Sequence, residues 1–127
     1  MWLFTKTGFY SVVQKKGEEG LQVRARVEKD LITLKEKYMP ELTDPIYTVG
    51  DYAYRSFISH ADFANGMARV GEDIHYDNFK NTIGKIDIAR AHIYSNIWYE
   101  GLALNKVDAN YHQRIEKRLS LKRMAGR

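Results

Sequence analysis

The chain contains 127 residues, of which 44% are hydrophobic and 28% are charged. This length predicts one compact domain that can fold without a disulfide or a metal. Cysteine is absent, which excludes disulfide scaffolds, zinc–thiolate sites, iron–sulfur clusters and cysteine nucleophiles. No apolar run reaches the roughly 18 residues of a membrane span, and Lys6 interrupts the apolar start of the chain. We therefore expect a cytoplasmic protein without a signal peptide or a membrane anchor.

The formal net charge of +4 is concentrated near the C-terminus. Residues 106–127 hold seven Lys or Arg and two acids, a balance of +5, whereas residues 1–105 have a balance of −1. We predict a folded domain over residues 1–104 and a basic extension over residues 105–127. The extension is interpreted either as a solvated end or as a contact for phosphates or an acidic protein surface.

The N-terminal third predicts an antiparallel hairpin. Residues 2–13 are rich in aromatic and β-branched side chains, which indicates one strand with a bend or bulge at Gly8. Residues 15–20 are charged and glycine-rich, as is typical of a turn. Residues 21–27 alternate strictly between apolar and polar side chains, which predicts a strand with one solvent-facing side.

The pattern then changes to helical spacing. Leu31, Leu34 and Tyr38 are three and four residues apart, which predicts an amphipathic helix that starts at Glu28 and ends before Pro40. A second hairpin is expected from residues 46–49 and 52–59, which flank a Gly-Asp turn.

Three more helices are predicted after this hairpin. Ser59 and Asp62 approximate a capping box and begin a helix whose apolar stripe is Phe63, Met67, Val70 and Ile74. Asp77 or Asn78 caps the next helix, which we expect to kink or break at Gly84. Residues 105–110 are interpreted as a hinge before a basic last helix with a thin apolar stripe.

This order of elements predicts the fold class. Strands paired by short turns and followed by helices favour an α+β two-layer sandwich, in which helices cover one face of an antiparallel sheet. We expect a ferredoxin-like or related sandwich with a basic C-terminal helix.

Several short segments also resemble a known family. In chain order they are MWLFT, GFYSVV, VRAR, DYAYR and DIHYDNFK, with a later Trp98. The set resembles a family of small uncharacterised bacterial and phage proteins that begin with a Met-Trp-(Leu/Ile)-Phe-Thr strand and carry a Tyr-Asp-Asn-Phe-Lys segment. The resemblance spans about residues 1–104 and implies no activity.

The leading functional hypothesis is a non-enzymatic binding protein. Tyrosine and tryptophan supply rigid contact area, so an aromatic-rich body suits docking to a protein partner or to a second copy as a homodimer. The basic extension would add attraction to an acidic surface or to nucleic acid through Arg114, Lys117, Arg118, Lys122 and Arg123. If the chain comes from a phage, this description fits an inhibitor of a host defence complex. We predict no cofactor and no membrane partner.

Binding of RNA or single-stranded DNA is the alternative. On a sheet, aromatic side chains stack on bases while arginines neutralise phosphates. Arg24, Arg26 and Arg55 are expected on the polar face of the sheet together with Tyr52 or Tyr54. Packing of the tyrosines across strands and coverage of the sheet by the arginine stems is the structural interpretation of the same residues.

A small hydrolase or metal enzyme is the last hypothesis. Glu72 and His75 are three residues apart and would share a helix face, with Asp77 nearby. The structural alternative is a helix end followed by an Asx cap. Phosphate-binding loops and a nucleophile elbow are missing from the sequence, so nucleotide hydrolysis and serine-esterase chemistry have no support.

Overall fold

The computed structural model describes residues 1–126. Its five strands form one antiparallel sheet in the order β1-β2-β3-β5-β4. The strands are β1 (Trp2–Thr5), β2 (Gly8–Val13), β3 (Leu21–Ala25), β4 (Ile46–Tyr47) and β5 (Tyr54–Ile58). The helices are α1 (Glu28–Lys37), α2 (His60–Glu72), α3 (Phe79–Ile86), α4 (Ile88–Gly101), a 3-10 helix (Leu102–Val107) and α5 (Tyr111–Ala125).

The prediction of an α+β sandwich is confirmed. Three strands, a helix, two strands and then a helix follow one another along the chain. This order differs from the βαββαβ order of a ferredoxin-like fold. The protein is therefore a related two-layer sandwich with a different order of strands and helices. The chain divides into two compact units, Met1–Thr82 and a second that begins at Ile83. The boundary after residue 104 rests on charge and stays a prediction. None of the described helices is long and apolar enough to cross a membrane.

The N-terminal strand is split in two, which the sequence analysis did not predict. β1 and β2 form a hairpin of their own in which Phe4 lies opposite Phe9. The hydroxyl of Thr5 accepts hydrogen bonds from the backbone N–H groups of Thr7 and Gly8, at 3.2 and 3.1 Å, and so holds the turn. Gly8 is needed for close packing, because a Cβ there would lie 2.6 Å from the Cβ of Asp30.

The core lies on one face of the sheet. Leu21, Val23 and Ala25 point to it from β3, as the alternation predicts. Tyr10 and Val12 of β2 and Ile58 of β5 join them. This face carries the buried apolar cluster of the body, and the opposite face carries mainly polar and aromatic residues.

Both helices of the first unit cover that core. Leu31 and Leu34 bury one side of α1 against it, and Phe63 does the same from α2. Asp30 fixes α1 to β2, because its carboxylate accepts the backbone N–H of Phe9 at 3.1 Å and its carbonyl accepts the hydroxyl of Tyr10 at 2.8 Å. The predicted cap of α2 is confirmed, since the Ser59 hydroxyl accepts the Asp62 N–H at 3.1 Å.

The second unit is helical, and its first break differs from the prediction. The expected break at Gly84 lies at Asp87 instead, between α3 and α4. The Asp87 side chain accepts the backbone N–H of Arg90 at 3.0 Å and so caps α4. An N-cap carboxylate stabilises a new helix start, whereas a glycine only weakens the helix that contains it. The predicted hinge falls partly in the 3-10 helix, and the last helix forms as α5.

Substitution of Gly66 tests how α2 packs. A Cβ at Gly66 would lie 2.3 Å from Cγ of Met39, so Gly66→Ala overpacks the core. We expect it to lower the free energy of unfolding by about 1–3 kcal/mol. Gly71→Ala in the same helix meets no heavy atom within 4 Å and should raise stability by up to about 1 kcal/mol. Urea denaturation measures both changes, and equal effects would contradict the packing of Met39 on α2.

Candidate functional site

The face of the sheet away from α1 and α2 carries a row of side chains that runs across all five strands. Antiparallel pairing aligns Trp2 with Ser11, Ser11 with Arg24, Arg24 with Arg55 and Arg55 with Ile46. Because side chains alternate along a strand, these five point to the same side. We call this surface the arginine face, and its members are Trp2, Phe4, Phe9, Ser11, Gln22, Arg24, Arg26, Ile46, Tyr52 and Arg55.

Aromatic rings occupy one half of the arginine face. Phe4 and Phe9 stack with their centroids 4.4 Å apart and an interplanar angle of 9°. Trp2 meets Phe9 edge to face at 6.3 Å, and Tyr52 lies 6.4 Å from Phe9 on the other side. Trp2 is 68% exposed, whereas Tyr52 is buried. The rings therefore form a continuous group with an exposed indole at its rim.

Two guanidinium groups lie against the same tyrosine ring. The Cζ atoms of Arg24 and Arg26 are each 4.7 Å from the centroid of Tyr52, and Arg26 is also 5.7 Å from that of Phe9. Such cation–π contacts are worth about 0.5–2 kcal/mol, more where water is excluded. They place positive charge directly beside the aromatic group.

Polar contacts fix the arginines in place. Arg24 donates to the Ser11 hydroxyl at 2.7 Å, and Arg55 donates to Oε1 of Gln22 at 3.2 Å. Ser11 and Gln22 are buried, although no helix of the first unit covers this face. The Nε atoms of Arg24 and Arg55 are buried without a hydrogen-bond acceptor. Their charge is thus held within the face, and their stems shield the sheet from water.

Arg26 is the exposed arginine of this face. It forms a two-point ion pair with Asp51, with N–O distances of 3.0 and 2.9 Å. Both side chains are more than half exposed, so the pair contributes little to stability. Within residues 1–126, Asp51 is the carboxylate that forms an ion pair on this face, and its partner is Arg26. Arg24 and Arg55 have neutral hydrogen-bond partners, so the face keeps an excess of positive charge.

The two tyrosines named by the sequence analysis lie on opposite faces. Tyr52 belongs to the arginine face, whereas Tyr54 pairs with Ala25 and packs against the core. The sequence favours Phe9 only weakly, as part of an aromatic strand over residues 6–12, and sequence reasoning did not include Trp2 and Phe4 in the site. A turn at residues 6–7 would have revealed them, because it brings Phe4 opposite Phe9.

The basic residues of the extension lie on α5 in the second unit. Arg114, Lys117, Arg118, Lys122 and Arg123 are all exposed. Arg114, Arg118 and Lys122 are four residues apart and share one side of the helix. Arg114 forms an ion pair with Asp108 at 2.9 Å. The helix therefore presents a stripe of positive charge.

The acidic and histidine-bearing stretch does not share a helix face as the metal hypothesis expects. α2 ends at Glu72, and His75 and Asp77 follow outside the helix, all three exposed. Asn78 accepts the backbone N–H of Asn81 at 3.0 Å, so the helix end and Asx cap are confirmed. Within residues 1–126 no group of three His, Asp or Glu is arranged to hold a metal ion.

Asp73, which belongs to the same acidic stretch but was given no role of its own, contacts residues of two other segments. Its carboxylate contacts Nζ of Lys6 at 3.0 Å and accepts the hydroxyl of Tyr38. These residues border a cavity of about 130 Å³ between β1 and α2. The hydrogen bonds from Tyr38 and Lys6 lower the pKa of Asp73. Burial, followed by the bond to Asp73, raises the pKa of Tyr38 to about 12. The cluster is a structural cross-link, because the Asp73 carboxylate is already paired with the Lys6 ammonium and the Tyr38 hydroxyl.

Comparisons with protein-family models, curated proteins and solved structures found no match. The family resemblance of residues 1–104 therefore stays a prediction, and the functional argument rests on the geometry of the site.

Alkaline unfolding tests the surroundings of the Tyr38 hydroxyl, which is buried and bonded to Asp73. The folded chain keeps the Tyr38 proton up to a pKa of about 12, while an unfolded tyrosine releases it near pH 10. The stabilisation is therefore complete below pH 10 and is lost as pH rises to about 12. In Tyr38→Phe the loss of stability over this interval should be smaller than in the wild type, measured by urea midpoints. Tyr99→Phe, which removes an exposed hydroxyl, is the control. An identical pH profile in all three proteins would contradict a buried Tyr38 hydroxyl bonded to Asp73.

Proposed function

We propose that the chain is a non-enzymatic binding protein whose arginine face docks single-stranded nucleic acid. The observation that carries the proposal is the placement of two guanidinium groups on Tyr52 beside the stacked rings of Phe4 and Phe9. Stacking rings and fixed positive charge are the two components with which sheet surfaces bind single strands without strict sequence preference.

Trp2 supplies the exposed stacking surface. Its indole lies at the edge strand β1, is 68% exposed and is held edge to face by Phe9. A base that stacks on this indole would continue the aromatic group across the strand edge. Every nucleobase has such a flat face, so the preference for a particular sequence should be weak.

Arg26 supplies the exchangeable phosphate contact. Its ion pair with Asp51 is exposed, so a phosphate can replace the carboxylate at little cost. Arg24 and Arg55 are held by hydrogen bonds to Ser11 and Gln22 and add positive charge at fixed positions. The stripe on α5 offers further contacts to phosphates, consistent with the concentration of charge in the extension.

A protein partner on the same face is the second candidate. Trp, Tyr and Arg are also the side chains that dominate protein interfaces, and Trp2 and Arg26 are exposed in this way. An arginine face that serves a protein would bind no oligonucleotide even at low salt, which separates the two candidates.

Removal of the exposed indole tests the stacking surface. Loss of one base stack costs about 1–3 kcal/mol, so Trp2→Ala should weaken binding of a labelled oligothymidine roughly 5- to 150-fold. Tyr47→Ala removes a ring that is 72% exposed on the opposite side of the sheet and should leave binding unchanged. Fluorescence anisotropy at low salt measures both. Equal affinities of the two variants would contradict a stack on Trp2.

Neutralisation of Asp51 tests the phosphate contact. Asp51→Asn removes the carboxylate that competes for Arg26, so affinity for the same oligonucleotide should rise about 2- to 5-fold. The salt dependence should steepen by up to about 0.7 in the logarithmic slope, the value of one phosphate. Asp44→Asn makes the same charge change at an exposed position away from the arginine face. A gain in Asp44→Asn equal to that in Asp51→Asn would show that only total charge matters.

A further inference from the structure

Helix α4 of the second unit is apolar on more than one side. Ile88 and Tyr99 are 74% and 68% exposed, and Ile93 and Ile97 are 59% and 40% exposed. A helix that is apolar around most of its circumference is normally enclosed by other protein. Contiguous exposed apolar side chains of this kind mark an interaction surface.

One side of α4 has the spacing of a helix-pairing seam. Arg90, Ile93, Ile97 and Glu100 follow one another at steps of three, four and three residues. Such alternation keeps side chains on a single line along a helix, as in coiled coils. Ile86, which ends α3 before the break at Asp87, and Leu104, in the 3-10 helix, lie outside α4 and are also exposed. We call the four residues within α4 the α4 seam.

The α4 seam is complementary to its own reverse. Its midpoint is Ser95: Ile93 and Ile97 lie two residues on either side of it, and Arg90 and Glu100, which have opposite charges, lie five residues on either side. An antiparallel second copy centred at Ser95 would therefore place isoleucine on isoleucine and arginine opposite glutamate, twice. A parallel copy would place Arg90 on Arg90 and Glu100 on Glu100, which repel each other.

From this symmetry we infer that α4 is the interface of a homodimer in which two copies of the α4 seam pair antiparallel about a twofold axis. An interface of this kind is isologous, so each residue contacts its counterpart in both directions. The inference is independent of the nucleic-acid proposal, because it concerns only the second unit.

Charge also favours a second copy at this place. α4 carries one arginine and one glutamate, so it is formally neutral and does not repel itself. Arg90 lies beside Asp87, with an N–O distance of 3.6 Å, and donates to the Tyr94 hydroxyl at 3.2 Å. These contacts hold the guanidinium near the start of α4, where the Arg90 side chain is 18% exposed. A guanidinium has five N–H groups, so a second carboxylate can share the exposed part.

A charge exchange on the full chain tests the pairing. In the Glu100→Arg variant the dimer would bring Arg90 against the introduced arginine, and in the Arg90→Glu variant it would bring the introduced glutamate against Glu100. Each variant alone should dimerise at least roughly tenfold more weakly than the wild type, because two attractive pairs become repulsive. An equimolar mixture of the two variants should associate again, because both charge pairs of the mixed dimer are attractive. Arg90 of one variant faces Glu100 of the other, and the introduced arginine faces the introduced glutamate. Sedimentation equilibrium measures the dissociation constants.

The control and the contradicting results are equally specific. Glu72→Arg makes the same charge change at an exposed position in the first unit and should leave dimerisation unchanged. A wild type that is monomeric at every concentration would overturn the inference. So would a dimer that Glu100→Arg leaves intact, or folded variants that do not associate when mixed.

The orientation is tested separately with cysteines, since the chain has none of its own. Folded Ile93→Cys and Ile97→Cys variants, mixed and oxidised, should form mainly the mixed disulfide in an antiparallel dimer. Parallel pairing would give mainly the two like-with-like products and would overturn the inference.

Discussion

The helices α1 and α2 pack on one face of the sheet only, and this one-sided packing explains why two arginines lie against Tyr52 on the other face. Leu31 of α1 and Phe63 of α2 exclude water from that face alone. The other face must cover its own backbone, and long side chains do so: the stems of Arg24 and Arg26 and the ring of Tyr52 lie over it. Positive charge and stacking surface are thus a direct result of one-sided coverage.

Much of the body could be predicted from the sequence, because strict alternation and helical spacing are local signals. Leu21, Val23 and Ala25 alternate with polar residues, and this alone places Arg24 on the face away from the core. The cap at Ser59 is likewise encoded within four residues. At these two places the prediction and the structure agree, whereas the turn held by Thr5 and the cap at Asp87, which are also local, were missed.

The features that could not be predicted depend on contacts distant in sequence or on a single-residue shift. Gly8 resembles a bulge until Asp30, far along the chain, is seen to leave no room for a Cβ. Tyr52 and Tyr54 are two residues apart, so alternation along a strand would put them on the same face. Tyr52 lies before β5 begins, however, and the alternation of that strand does not apply to it. Asp73 has no local signature, because its partners are brought to it by folding.

The central claim is that the arginine face binds single-stranded nucleic acid, and the most direct test follows the two tryptophan indoles of the chain by NMR. Trp2 belongs to the arginine face, and Trp98 lies in α4. On titration of the full chain with a single-stranded oligonucleotide at low salt, the account predicts that the indole N–H signal of Trp2 shifts more than that of Trp98. A Trp2 signal that does not move while the oligonucleotide binds, or an oligonucleotide that does not bind at all, would contradict it.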